Sequence, residues 1–345
     1  MDYNKFITNL DNKTHINNQD SFNTIFPMVH KIHKININDR IDTLDDVLKL
    51  INKYSIIPYI EYNINFKLLH TIKEPLEKLA SMVGMLEIKN NIIDQILYYL
   101  QGLHNGDDYL HTIICGPPGT GKTEISKIIG EIFMKIGILK NNTFMKVTRS
   151  DLIAGFLGQT AIKTKKVIEE CLGGVLFIDE VYSLGNSDKT DSFSKECIDT
   201  LCEALSDHKN DIMVIVAGYE KEIKDCFFSY NEGLESRFIW KYKIEKYSEK
   251  ELYEILQKKI QHIKWELSDE INESWFSDKI ETFKYYGRDI ELLVSKIKIA
   301  HSRRIFGKEC VIKRMISLDD MNAGFKKLAS RNDNKKDDKH LTMYT

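Results

Sequence analysis

A chain of 345 residues with 42% hydrophobic residues has the length for two or three folding units and enough apolar content for buried cores. Its formal net charge of −2 argues against a broad nucleic-acid-binding face, and no run approaches the ~18 apolar residues of a membrane-spanning helix. Met1–Asp20 is polar and lacks a signal-peptide core, so no membrane partner and an intracellular setting, cytoplasmic by default, are expected.

Six cysteines at 115, 171, 197, 202, 226 and 310 form no C-x-x-C pair and read as reduced thiols. His30 and His33 make an H-x-x-H without a second ligand pair, which reads as solvated rather than metal-binding. Met1–Arg40 has little apolar periodicity and is expected to be partly flexible. A capping box, Thr43 with Asp46, opens a helix that places Leu44, Val47, Leu48 and Ile51 on one face. Tyr59–Leu69 alternates weakly, as a strand or an extended linker. From Pro75 the pattern is regular. Leu76–Ala80 leads into Met82–Met85, and a long amphipathic helix on Ile88, Ile92, Ile93, Ile96, Leu97 and Leu100 ends in the turn residues Gly102–Asp108.

The most informative stretch follows. Thr112–Cys115 is a short β-branched run predicting a buried strand, and Ile125, Ile128, Ile129 and Ile132 predict a helix. Between them, residues Gly116 to Thr123 read G-x-x-x-x-G-K-[ST]. Gly116, Gly119 and Gly121 permit positive φ, so that successive N–H groups can point at phosphate oxygens at the positive end of the helix. Lys122 would reach the β- and γ-phosphates, and Thr123 would offer its hydroxyl to Mg²⁺. The stretch is a nucleotide site.

A second strand is expected at Phe144–Val147, then a short element capped by Ser150. It ends in Gly155-Phe156-Leu157-Gly158, where the aromatic is either a core plug on a tight turn or a mobile contact point. Val175–Ile178 is a buried-strand run that delivers Asp179 and Glu180 at its end. In an open α/β sheet ligands sit outside the carboxyl ends of the strands, which would set these acids beside the phosphate loop. Asp179 would hold Mg²⁺ through water, and Glu180 would orient or deprotonate the attacking water. Next come a helix on Ile198, Leu201, Cys202 and Leu205, and a strand Ile212–Ala217 that ends in Gly218-Tyr219 at the same sheet edge. Asn231–Phe238 is a turn and short helix presenting Arg237.

From Tyr247 the pattern is helix only. Ser248 and Glu251 cap one helix, Asp289–Arg303 forms another, and Ser317 with Asp320 caps a last one on Met321, Phe325 and Leu328. Gly287-Arg288 opens the middle helix, where the guanidinium could swing toward a phosphate held by the preceding domain. Arg331–His340 is a mixed-charge run, expected to be a disordered tail.

Over about Leu76–Leu328 these residues resemble the AAA+ ATPases, and most closely the CbxX/CfqX family, whose best-studied members are activases of red-type Rubisco. The resemblance rests on Val83-Gly84-Met85, Gly116 to Thr123, Gly174 to Val181, Ala217-Gly218-Tyr219, Gly233 to Phe238, and Gly287-Arg288-Asp289. It implies an α/β fold: an AAA+ P-loop NTPase domain at 75–244, its parallel sheet flanked by helices, followed by a small all-α lid domain at 245–330. Residues 1–74 are then an N-terminal extension and 331–345 the tail. ATP and Mg²⁺ are the implied ligands. Val83 and Gly84 would lie near the adenine, and Gly116, Pro117, Pro118, Gly119, Thr120, Gly121, Lys122, Thr123 and Glu124 around the phosphates. Thr123 and Asp179 would serve the metal.

By the same resemblance Glu180 and Lys122 act in catalysis, with Arg288 as the sensor-2 arginine and Tyr219 at sensor 1, where most AAA+ proteins place an asparagine. Arg237 matches the arginine finger that reaches into the neighbouring subunit's site, which implies a ring, by expectation a hexamer. Phe156-Leu157-Gly158 is similar to the family's pore-loop motif that grips a polypeptide client. The client is not specified, and Rubisco is not carried over. Glu232 replaces a common proline, Tyr286-Gly287 the usual Asn-Ala, and Glu291 a frequent second arginine. Two alternatives remain: a nucleic-acid-directed motor using Lys163, Lys165 and Lys166, which the charge disfavours, and a nucleotide-gated scaffold with little hydrolysis.

Overall fold

A computed structural model of the chain describes residues 32–156, 158–186, 191–308 and 313–341. These divide into two compact units. In the smaller, two three-residue strands, His33–Ile35 and Ile60–Tyr62, pair in parallel. Residues 1–31, with His30 and most of the stretch expected to be flexible, lie outside the described residues, as do Leu157 and Cys310.

The larger unit comprises Ile37–Ile56 and the chain from Ile64 onward. It opens with α1 (Leu44–Lys53), whose Thr43 and Asp46 form the expected capping box, followed by α2 (Phe66–Thr71), α3 (Lys73–Ser81) and α4 (Leu86–Leu100). Residues 37–56 and 64–74 cluster with this larger unit. Helix α1 buries Leu44, Val47, Leu50 and Ile51, and it packs on α3, which buries Leu76 and Leu79. Two amphipathic stripes that each need a partner cover one another.

The sheet is built next, from β1 (Thr112–Cys115), α5 (Lys122–Lys135), β2 (Phe144–Val147), α6 (Arg149–Leu152), α7 (Thr160–Glu170) and β3 (Val175–Ile178). It is completed by α8 (Ser192–Asp207), β4 (Met213–Gly218), α9 (Glu220–Cys226), α10 (Glu232–Glu235) and β5 (Trp240–Lys243). All pairs are parallel, in the order β2-β3-β4-β1-β5. Strands β3 and β4 are buried along their whole length, as a parallel sheet covered on both faces requires. Ile113, Leu176, Ile178, Val214 and Val216 share one core with α7 and α8. Helix α5 lies on the other face, so close that a Cβ on Gly130 would stand 2.8 Å from Val175 Cγ2.

Two local expectations change. Ser150 does not cap α6; Thr148 does, in a capping box with Asp151, since a residue in β conformation just before the helix has the free donors to bridge. Strand β5 had no counterpart in the sequence reading. It is four residues long, and it is specified by pairing along β1, with Tyr242 buried and its hydroxyl donating to Gln95 Oε1 at 2.5 Å.

The lid contains α11 (Glu249–His262), α12 (Gly287–Ile305) and α13 (Leu318–Leu341). Tyr247, Leu252, Leu256, Phe276, Phe283, Leu293, Ile297 and Met321 form its core. One parallel pair of two-residue strands, Glu266–Leu267 with Met315–Ile316, interrupts the expected all-helical pattern. Helix α13 has its last residue at Leu341. No helix among the described residues is long and apolar enough to cross a membrane.

A buried cluster fixes α13 against α12. Asp320, 2% exposed, receives Arg304 Nε on Oδ1 and Nη2 on Oδ2, both at 2.9 Å, and His301 Nδ1 lies 2.9 Å from Oδ2. Burial pushes the Asp320 carboxyl up, but Arg304 and then His301 and the Ser317 N–H outweigh it and hold it at about 2. Its folded value is below its unfolded value, so its contribution is complete above the unfolded value and drains away as pH falls through the folded one. Asp320→Ala is expected to cost about 2–3 kcal/mol at neutral pH, at the low end for a broken buried pair because Arg304 keeps some solvent. Urea midpoints should show the gap to wild type narrowing from about pH 4 down through about pH 2; a gap that is constant over that window would refute the assignment.

Candidate active site

Strands β3, β4 and β1 are neighbours, and all three run out into one cleft of about 900 Å³. From β1 comes the glycine loop, from β3 the pair Asp179-Glu180, and from β4 Gly218-Tyr219; the lid closes the far side with Tyr247, Lys258, Tyr285 and Arg288.

The loop is anchored at its root, where Gly116 N–H donates to Gly218 O at 3.1 Å and Ile244 N–H to Cys115 O at 2.8 Å. Gly119 and Gly121 have φ of +78° and +91°, which L side chains rarely adopt. Lys122 Nζ curls back on the loop, donating to Gly116 O and Pro117 O, each at 2.8 Å. Pro117 O also accepts from Thr120 Oγ1 at 2.7 Å. Burial pulls the Lys122 ammonium below its ordinary value, opposed by Asp179 and reinforced by Arg288. Pro118 to Glu124 face the cleft, whereas Gly116 and Pro117 lie behind it as acceptors for Lys122. Lys122, Thr123 and Glu124 form the first turn of α5, whose N–H groups have no acceptor within the helix. This donor-rich cradle suits a polyphosphate.

Asp179 Oδ1 accepts the Glu180 N–H at 3.1 Å, and Oδ2 lies 2.6 Å from Lys146 Nζ, a partner absent from the sequence reading. Glu180 is left-handed at φ 51°, ψ 46°, a conformation that costs a non-glycine residue ~1 kcal/mol or more and that turns the chain sharply after β3. Among the described residues no three His, Cys, Asp or Glu side chains cluster as a metal cage. Thr123 and Asp179 facing one cleft fit Mg²⁺, which is held through a few protein oxygens, waters and substrate phosphates.

Tyr219 lines the cleft with its ring 6.1 Å from that of Tyr182. Burial, then the charge of Glu222, raises the Tyr219 hydroxyl, and burial with Glu180 pushes Tyr182 to about 12. Both remain protonated donors at neutral pH.

At the other end Val83 lines the cleft and Gly84 does not. Gly84 and Met85 are both left-handed, at φ 64° and 59°. Their turn is held by lysines: Lys89 Nζ donates to Ala80 O at 3.2 Å and Met82 O at 2.6 Å, and Lys258 Nζ to Ser81 O. The lid reaches the phosphate loop directly. Gly287 N–H donates to Gly119 O at 3.1 Å and the Tyr247 hydroxyl to Thr120 O at 3.0 Å. A Cβ on Gly119 would stand 2.0 Å from the Tyr285 carbonyl oxygen.

Two groups of residues singled out in the sequence are not in the cleft. Arg237, half-buried, donates through Nε to Ser206 Oγ at 2.8 Å and through Nη1 to Gly233 O. Behind it the buried His111 accepts Val214 N–H on Nδ1 at 3.2 Å, and burial, aided by Arg237, lowers its value to about 4. Phe156 is 72% exposed, which removes the core-plug alternative, and the space beyond Gly158 is open.

Residues 112–238 match the family described as the ATPase family associated with various cellular activities (AAA). The chain is 41% identical over 287 residues to a cfxQ-like protein of Acanthamoeba polyphaga mimivirus, covering 82% of this chain and 71% of that one. It is 36% identical over 242 residues to stage V sporulation protein K of Bacillus subtilis (68% and 72%), and 31% over 248 residues to a CfxQ homolog of Pyropia yezoensis (68% and 82%). The AAA domain of FIGL-1, solved in complex with ADP, superposes with a TM-score of 0.53 at 19% identity over 72% of this chain and 83% of that one, a likeness of fold. With its phosphate loop, paired acids and lid so arranged, the chain belongs to the CbxX/CfqX family of AAA+ ATPases.

Proposed function

We propose that this chain binds ATP with Mg²⁺, hydrolyses it to ADP and phosphate at sites completed between copies in a ring, and uses the cycle to pull on a polypeptide. The observation behind this reading is a division of the residues. Phosphate cradle, acids, Tyr219 and Arg288 converge on one cleft, while Arg237 and Phe156 stand outside it.

In the proposed reaction Lys122 exchanges its two loop carbonyls for phosphate oxygens, and the Thr123 hydroxyl and Asp179 serve the metal. Mg²⁺, when bound, supplies positive charge to the β- and γ-phosphoryl oxygens. Glu180 orients the attacking water and accepts its proton, and the Tyr219 hydroxyl donates in the place of an amide. Arg288 answers the nucleotide from the lid. Phosphoryl transfer is catalysed mainly by positioning and charge, so each site lacks one cation until Arg237 of a neighbouring copy enters. Ser206 and Gly233 hold that guanidinium from two sides, which favours a preset direction over a search. A hexamer is the proposed ring, and Phe156-Leu157-Gly158 the proposed grip.

The nucleic-acid alternative loses support at Lys163, whereas Lys165 and Lys166 stay on an exposed helix face. Lys163 Nζ donates to Ser150 O and Ile153 O, at 2.5 and 3.0 Å, and Lys166 lies 3.9 Å from Glu170.

Specific ATPase activity should rise with protein concentration, and Arg237→Ala should lower turnover by about 10³-fold or more with nucleotide affinity kept. Flat, Arg237-independent activity would exclude the shared site. Glu180→Gln should retain ATP and elute as the assembled ring on size-exclusion chromatography; rapid loss of ATP would exclude Glu180 as the catalytic carboxylate. Unfolded polypeptide should stimulate turnover in wild type and fail to do so in Phe156→Ala, whereas stimulation by single-stranded DNA or RNA instead would favour the nucleic-acid motor.

A further inference from the structure

We propose that Lys146 is a resident counter-cation of Asp179, one that holds the carboxylate in place and competes with the divalent ion for it, and so sets the metal affinity of the site. The inference rests on the reading of Asp179 as the carboxylate that serves the metal.

Lys146 stands on β2, at the edge of the sheet and in register with Phe177 of β3. Its stem runs along β3, with Nζ 5.8 Å from the Phe177 ring centroid, and ends 2.6 Å from Asp179 Oδ2. The Asp179 backbone N–H donates to Val147 O at 3.2 Å, which carries the β2–β3 ladder one residue beyond the strand and fixes the height of the carboxylate against Lys146. The remaining oxygen, Oδ1, accepts the Glu180 N–H. Each carboxylate oxygen therefore has a donor supplied by this chain. Lys122, the other ammonium at this end of the cleft, is spent on Gly116 O and Pro117 O.

The Asp179 side chain is 16% exposed and that of Lys146 45%, so the pair is neither fully screened nor cut off from water. A divalent ion approaching Asp179 meets a carboxylate whose charge is already offset and an ammonium a few ångströms off. Because the ammonium is half-exposed, Coulomb repulsion at a dielectric close to that of water, reduced further by salt, then weakens metal binding by on the order of tenfold relative to a neutral side chain. A site tuned this way takes its metal together with nucleotide phosphates, whose negative charge outweighs the lysine, rather than as the bare ion.

Mn²⁺, followed by its electron paramagnetic resonance signal, is the probe, titrated in the presence of ADP into the whole 345-residue chain. Lys146→Met keeps the apolar stem over Phe177, Lys146→Gln keeps a donor without charge, and Lys146→Arg keeps the charge. The Met and Gln variants should bind Mn²⁺ about tenfold more tightly than wild type at low salt and by a smaller margin at high salt, with the Arg variant within about twofold of wild type. Equal or weaker Mn²⁺ binding by both neutral variants would overturn the role of Lys146 while leaving the nucleotide site standing. A folded wild type that binds neither ADP nor Mn²⁺ with ADP would overturn the nucleotide reading itself.

Discussion

The contact on which the rest of the structure turns is the docking of the lid on the phosphate loop. Gly119 O accepts the Gly287 N–H, Thr120 O accepts the Tyr247 hydroxyl, and Gly119 has no room for a side chain against the Tyr285 carbonyl. Main-chain groups of the loop are thereby divided. Carbonyls face the lid and the Lys122 ammonium, which leaves the N–H groups at the start of α5 to the cleft. Tyr286, at φ 42° and ψ −107°, holds an unfavourable conformation at the start of α12, next to that contact.

Charge is distributed around this contact in a consistent way. Lys122, Lys146 and Arg288 bring cations to the region, and Asp179, Glu180 and Glu124 bring carboxylates. Burial lowers the Lys122 ammonium, and the charge of Asp179 restrains that shift. The unpaired N–H groups and the positive end of the dipole at this helix N-terminus are what a polyphosphate would meet. The half-exposed position of Lys146 makes its contribution adjustable by salt and by substitution, unlike that of Lys122.

Groups outside the cleft are held as firmly as those inside it. Arg237 is fixed by Ser206 and Gly233 on the far side of the sheet's core, next to the buried His111, whose low value keeps it neutral beside a guanidinium. Arg149 is likewise spent on the turn after β3, donating to Ser183 O at 2.8 Å and Leu184 O at 2.9 Å and pairing with Asp191. That ties the segment carrying Asp179 and Glu180 to α8. Phe156, by contrast, presents an aromatic ring to solvent beside a glycine with free space around it.

Local chemistry made much of this legible in the amino-acid order. Thr112–Cys115, Phe144–Val147 and Val175–Ile178 are strands at the residues where β-branched or apolar runs are bounded by turn formers, and the boxes at Thr43 and Ser248 start their helices because each motif is complete within four residues. The glycine loop is similarly self-contained, since the strand before it and the helix after it are its own neighbours in sequence. Only tertiary structure decided what depends on distant partners. Strand β5 exists because β1 has an open edge, Lys146 meets Asp179 because β2 lies beside β3, and Lys89 and Lys258 converge on one turn from two helices. The choice of Thr148 over Ser150 as a cap, and the packing of α1 on α3, were likewise set by where the chain is carried. Short-range motifs fix their own geometry, whereas a lysine or a four-residue strand acquires its meaning from what the fold places opposite it.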